Sequence, residues 1–261
     1  MKGLEFKILY LGHILCKKDA LVRTSDNEAM IKSPMLSVLI RHPTLGNILY
    51  DTGNHELGDN IYSKHARETY HVAEVITIKE RLAENGLTVD QIDYLILSHL
   101  HMDHTGGLPY FCNTMAGKNG VIVNEADARE AFFVVNTQED TGAYTKQTIC
   151  NLEGIKYRPI KGEIKLADDI ILFSQACHTP GVLGMILNTG SHGNFIFTSD
   201  SIYTKESFEH ELPPGGAINK TDDEFYNEIK TIRNMQQELN ATIIFGHDPE
   251  QYKNYTQMFI N

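Results

Sequence analysis

The sequence predicts an α/β fold, with sheets covered by helices, on three observations. Nine short apolar runs read as strands, helical patterns lie between them along the whole chain, and four of the runs end on a histidine or an aspartate.

The strands are expected at FKILYL (6–11), LSVLIR (36–41), NILYD (47–51), DYLILS (93–98), VIVN (121–124), DIILFSQA (169–176), GMILN (184–188), NFIFTS (194–199) and TIIF (242–245). Charges interrupt the opening MKGLEFKILYLGHILCKKDA and no small-residue cleavage site follows, so it reads as a first strand and not as a signal peptide. VITIKERLAENG (75–86) has apolar residues at helical spacing and ends on Gly86, a C-terminal stop. EADAREAFFVVNTQED (125–140) is a weaker helical pattern. TDDEFYNEIKTIRNMQQELN (221–240) opens with a Thr221/Glu224 capping box and repeats Phe225, Ile229 and Ile232 on one face. No repeat, low-complexity stretch or Pro/Gly/Ser-rich linker divides the chain, so residues 1–261 are expected to form one domain.

Composition removes several classes of function. The formal net charge of −11 and the lack of any basic stripe argue against nucleic-acid partners, which are held through clustered Lys and Arg. No stretch approaches the roughly 20 apolar residues of a membrane helix. Cys16, Cys112, Cys150 and Cys177 are scattered without a CxxC pair, which suggests reduced thiols and a cytoplasmic location.

The segment SHLHMDHTGG (98–107) concentrates the chemistry. Three imidazoles and a carboxylate side by side would repel or stay unsatisfied without an ion. His99 and His101, two residues apart, can chelate one ion, and Asp103 and His104 can turn toward a second. Gly106 and Gly107 let the backbone leave this crowded corner. Three further strand ends present His178, Asp200 and His247, and ends that converge on one sheet edge can gather residues distant in sequence. Two ions need about eight ligand contacts, and these seven side chains supply them if Asp200 bridges. His13, His42, His65, His71, His192 and His210 read as surface or satisfied core histidines, with His55 less clearly placed.

At HLHMDHTGG the chain resembles the metallo-β-lactamase superfamily, and HTPG at His178, TSD at Asp200 and FGHD at His247 continue the match in order. The resemblance implies an αβ/βα four-layer sandwich, two mixed sheets flanked by helices, with metals at one edge. It also implies that Asp51, in ILYDTGNHE, supports the site from behind. SDSIYTKESFEHELPP and IIFGHDPEQ are similar to the N-acyl-homoserine lactone lactonase branch, in which a tyrosine three residues after the bridging aspartate contacts the lactone. Tyr203 stands there. Two departures, CHTPGV with Cys177 and Val182 for the usual GHTPGH and Met102 at a position often aromatic, lie where substrate is expected.

The implied enzyme is a hydrolase with two divalent ions, zinc expected and manganese, iron or cobalt also suited to the donors. A metal-bound hydroxide would open the lactone ring of an N-acyl-homoserine lactone, a small-molecule substrate, with Tyr203 polarising the carbonyl and Asp103 shuttling the proton. Cys177, beside His178, reads as a small buried thiol and not as a nucleophile. The competing readings are another lactone or ester such as a pyridoxolactone, a thioester as in glyoxalase II, and iron-dependent redox chemistry. Glyoxalase II carries a helical region after its last metal histidine, whereas fourteen residues follow His247. The di-iron reductases replace the second histidine by glutamate, whereas His101 is retained.

Overall fold

A computed structural model of the chain describes residues 3–26, 28–216 and 221–261. Its strands are β1 (Glu5–Lys17), β2 (Met30–His42), β3 (Gly46–Tyr50), β4 (His71–Val75), β5 (Tyr94–Ile96), β6 (Val121–Asn124), β7 (Tyr157–Ile160), β8 (Ile164–Ala167), β9 (Ile170–Gln175), β10 (Val182–Thr189), β11 (Gly193–Phe197) and β12 (Ala241–Ile244). Seven form one sheet in the order β4-β1-β2-β3-β5-β6-β7, and five form a second in the order β12-β11-β10-β9-β8. Both sheets are mixed: β3, β5, β6 and β7 run parallel, as do β11 and β12, and the other neighbours are antiparallel.

All nine expected strands are present. β4, β7 and β8 were not expected, and each lies at the edge of its sheet. Their residues are largely half-buried or exposed, and β7 carries Pro159, which edge strands tolerate. These three lack the continuous apolar run by which a central strand is recognised.

Strand periodicity sorts the side chains into three cores. Between the sheets lie Phe6, Ile8, Val38, Ile40, Ile48 and Ile122, facing Leu172, Met185, Phe195 and Phe197. The intervening residues Leu39, Leu49, Val121 and Val123 point to the outer face of the larger sheet, against helices 78–84 and 125–137. Ile186, Ile196 and Ile243 point to the outer face of the smaller sheet, against helix 222–239. The result is helix, sheet, sheet, helix: the four-layer sandwich.

The helices end as their sequences direct. Gly86, at φ 73°, follows helix 78–84, and the N–H groups of Gly86 and Leu87 donate to Ala83 O and Leu82 O. In helix 222–239 Phe225, Ile229 and Ile232 are buried, as their spacing requires. Only half of its expected capping box forms: Thr221 Oγ1 accepts from the Glu224 N–H, and the Glu224 carboxylate makes no return bond among the described residues.

Gly106 and Gly107 fulfil the expected exit, because a side chain at either position would clash. Their φ angles, −57° and −86°, are open to any residue. A Cβ on Gly106 would lie 2.1 Å from the backbone of Asn54 and His55, and one on Gly107 would lie 2.6 Å from Thr52 O. Both glycines therefore serve close approach of two backbones. Since neither backbone can yield cheaply, Gly106→Ala is expected to cost about 3 kcal/mol or more. That corresponds to a fall in Tm of roughly 6–12 °C, read by thermal denaturation.

Candidate metal centre

Four strand ends deliver the chemistry to one edge of the sandwich. The chain leaves β5 into His99 and His101, β9 into His178, β11 into a turn at Ser199–Ser201 that holds Asp200, and β12 into His247. All seven residues expected from the sequence meet there, in two groups. His99, His101 and His178 form one, and Asp103, His104, Asp200 and His247 form the other. In the first, His178 Nε2 lies 3.0 Å from His99 Nε2 and 2.9 Å from His101 Nδ1, and the latter two atoms are 3.1 Å apart.

Asp200 joins the groups. Its Oδ2 faces His178 Nε2 at 3.5 Å and His99 Nε2 at 3.8 Å, while Oδ1 faces His247 Nε2 at 3.0 Å and His104 Nε2 at 3.2 Å. Asp103 Oδ2 completes the second group at 3.7 Å from His247 and 3.8 Å from His104.

The outer ring nitrogens show why these atoms call for ions. His104 Nδ1 is 2.9 Å from the Asp51 carboxylate, and His247 Nδ1 is 2.8 Å from Pro34 O. Both partners only accept, so each Nδ1 carries a ring proton and each Nε2, once deprotonated, presents a lone pair inward. His99 and His178 turn their outer nitrogens to the Ser98 and Tyr203 hydroxyls, at 3.0 and 2.7 Å. The inward atoms His104 Nε2 and Asp200 Oδ1 are buried without a hydrogen-bond partner among the described residues. Converging lone pairs and carboxylates at such spacing fit cations, and the shared Asp200 makes this a dinuclear metal site.

His101 is the exception, because its inward atom is Nδ1. Its ring rests on Tyr144, with centroids 4.6 Å apart, and Tyr144 OH donates to Asp127 Oδ1 at 2.8 Å. Asp127 Oδ2 accepts from the Leu100 N–H at 2.8 Å, so one buried carboxylate clamps the HxH segment twice. Ser98, Asp127, Tyr144 and Pro34 O were not anticipated. Asp127 lies in the first turn of helix 125–137, where an acidic residue already has a local explanation. Asp51 was anticipated, and it accepts from the Ser98 N–H as well as from His104.

Of the two sequence departures, Met102 lines the cavity over these groups, as expected. Cys177 and Val182 do not, which corrects that expectation. Cys177 packs in the outer core beneath helix 222–239, and Val182 pairs with Gln175 in the sheet. His13 and His42 are bonded to Glu74 and Asp169 respectively, and His55 caps its own turn by accepting from the Leu57 N–H. No helix among the described residues is long and apolar enough to cross a membrane.

Residues 34–247 match the Metallo-beta-lactamase superfamily. The chain belongs to that superfamily. Similar members include an N-acyl homoserine lactonase of Bacillus sp, 31% identical over 177 residues, which are 68% of this chain and 63% of that protein. The chain thus spans less than two thirds of the length of that relative. An N-acyl homoserine lactonase of Agrobacterium fabrum is 27% identical over 273 residues, covering 96% of this chain and 95% of the other. Among solved structures, an N-acyl homoserine lactone hydrolase with N-hexanoyl-L-homoserine at its catalytic metal centre matches with a TM-score of 0.83 and 25% identity, over 100% of both chains.

The two groups of this superfamily site differ in charge. Burial, reinforced by the neighbouring histidines, pushes His99 and His178 well below the usual imidazole range, and burial brings His101 down to about 4. Burial opposes charge on His104 and His247 too, but the carboxylates, Asp200 foremost, outweigh it and raise both. A histidine with a lowered pKa keeps its lone pair as the pH falls, whereas one with a raised pKa takes a proton early. Protons therefore compete with an ion in the second group from a higher pH than in the first. Chelator competition at stepped pH is expected to show one ion whose affinity falls by about two decades per pH unit, one per histidine, below that raised range. The other should hold until nearer pH 4. Loss of both ions in one step would contradict this assignment.

Proposed function

We propose that this protein is a two-metal hydrolase that opens the lactone ring of N-acyl homoserine lactones, formed as a single domain over residues 1–261. His99, His101 and His178 would hold one ion and Asp103, His104 and His247 the other, with Asp200 between them. The observation that carries the reading is the full-length match, at a TM-score of 0.83, to a hydrolase that holds N-hexanoyl-L-homoserine at its metal centre. Zinc is the ion proposed, since imidazole and carboxylate donors suit it, and a cytoplasmic location is proposed with it.

When bound, the ions supply Lewis acidity and an ionisable water near neutral pH. The chain's own residues do the rest. Because an inward His178 Nε2 leaves the ring proton on Nδ1, His178 donates to Tyr203 OH. The Tyr203 hydrogen is then not needed by His178. It is available to the lactone carbonyl oxygen, where negative charge develops during attack. Asp103, half-buried in the cavity lining, would pass a proton to the departing ring oxygen. Ile14, Cys16, Leu21 and Met102 keep bulk water from the opposite side.

Protein purified without added metal is expected to contain about two equivalents by elemental analysis. It should release one proton per ring opened from N-acyl homoserine lactones. Clearly better turnover of S-lactoylglutathione, pyridoxolactone or a β-lactam, measured by the same pH indicator, would reject the substrate assignment. Tyr203→Phe tests the double role of that hydroxyl. Loss of a donor to developing charge is expected to lower kcat by about 10²-fold at saturating metal. Loss of the partner to His178 should also weaken one ion by roughly 10–100-fold. Wild-type kcat with wild-type metal affinity would make the tyrosine a packing residue.

A further inference from the structure

The cavity over the two groups encloses about 30 Å³, room for roughly one water. Its floor is His101, Asp103, His178, Asp200, Tyr203 and His247. The rest of its lining is mostly apolar but includes Tyr70 and Ser33. Tyr70 is the C-cap of helix 64–69, its N–H donating to Ala66 O at 2.9 Å, and it immediately precedes β4. This backbone anchor fixes where the ring enters the cavity.

The phenols of Tyr50, Tyr62, Tyr144, Tyr157 and Tyr203 each have a hydrogen-bond partner. That of Tyr70, mostly buried, has none among the described residues. Burial first, then the nearby Cys16, Asp103 and Asp200, push its ionisation upward, so the group is neutral and keeps its hydrogen. Solvent reaches this hydroxyl, so a ligand acceptor placed there replaces water and not a protein partner. Because the space holds only about one water, a lactone that reaches Asp200 must widen it and so comes against its lining, Tyr70 included.

We propose that Tyr70 is a specificity-determining residue whose hydroxyl donates to the exocyclic amide carbonyl of an N-acylated γ-lactone, while Tyr203 takes the ring carbonyl. The proposal rests on the lactone reading above. An N-acyl homoserine lactone carries two carbonyl acceptors separated by one carbon and one nitrogen, and the cavity lining includes two tyrosines, Tyr70 and Tyr203. A bare γ-lactone has nothing for the second. The phenol thus rewards the acylated substrate and is indifferent to the ring.

The test compares N-hexanoyl homoserine lactone with γ-butyrolactone on the metal-loaded wild type, Tyr70→Phe and Ser33→Ala, with metal content measured on each. Tyr70→Phe keeps the ring and so the wall. It is expected to lower kcat/KM for the acylated lactone by roughly 3- to 10-fold, the worth of one neutral hydrogen bond. For γ-butyrolactone it should change kcat/KM less than about 2-fold, with metal content unaltered. Equal losses on both substrates would make Tyr70 act on the metal centre or the wall, overturning the proposal. No loss on either, or a selective loss in Ser33→Ala with none in Tyr70→Phe, overturns it as well. If the wild type opens neither lactone, the lactone reading itself fails and this inference falls with it, an outcome distinct from the others.

Discussion

Five imidazoles and two carboxylates converge at one sheet edge, all but Asp103 buried, and this crowding is what the surrounding structure exists to hold. Lone pairs 3 Å apart in a low-dielectric pocket repel, and a buried unpaired carboxylate is costly. Only a cation between them reverses the sign of those terms. Until it arrives, the geometry must be kept by everything behind it. That explains the series of outer contacts: Ser98, Asp51, Tyr203 and Pro34 O each hold a ring by its far nitrogen. His101, which has no such bond, is held through Tyr144 and Asp127 instead.

The sandwich makes this convergence possible. Central strands whose two faces are both buried cannot slip register without exposing a whole apolar set, so their ends are fixed to within a residue. The segments that carry His99, His178 and Asp200 leave such strands within a few positions of their ends, and His247 follows the edge strand β12, paired to β11. Backbone conformation carries part of the load too. Asp51, His178 and Ser199, which precedes Asp200, have φ of 63°, 79° and 47°. Non-glycine residues in this region are uncommon and cost on the order of 1–3 kcal/mol each, persisting where the surroundings over-determine them. Here the surroundings are the two sheets.

Much of this was legible in the sequence because the same constraint that builds the site also marks the chain. A central strand must be apolar on both faces, so eight interior runs declared themselves, and the edge strand β12 did so through Ile243 and Ile244. The seven His and Asp residues that meet at the sheet edge lie just past strand ends, so all were visible as candidate donors, and the motif order supplied the four-layer architecture. What stayed hidden was held by context. β4, β7 and β8 are edge strands whose exposed faces leave no apolar run. Asp127 looks like any acid at a helix start, and Pro34 contributes only a carbonyl, which no side-chain pattern can announce. The reading of Gly106 and Gly107 shows a subtler gap. Glycine was correctly placed at the exit, but its cause, two backbones in contact, belongs to the partner loop at residues 52–55 and not to the glycines' own segment.

Strain and charge together imply that the site and the fold are thermodynamically linked. The φ-positive residues, the buried Asp200 and the facing lone pairs all raise the energy of the ion-free state, and an ion that binds only the folded chain lowers it again. The two halves contribute unequally. In the first group burial already keeps the histidines neutral, so an ion there displaces few protons and its binding energy passes nearly whole into stability. In the second, Asp200 already holds His104 and His247 toward their charged forms, so an ion must first displace protons that partly satisfy the same carboxylate. The ion that stabilises the fold most near neutral pH is therefore the one among three neutral histidines. The ion beside Asp103 is the more readily exchanged, which suits the half of the centre where the proposed chemistry needs a carboxylate free to move a proton.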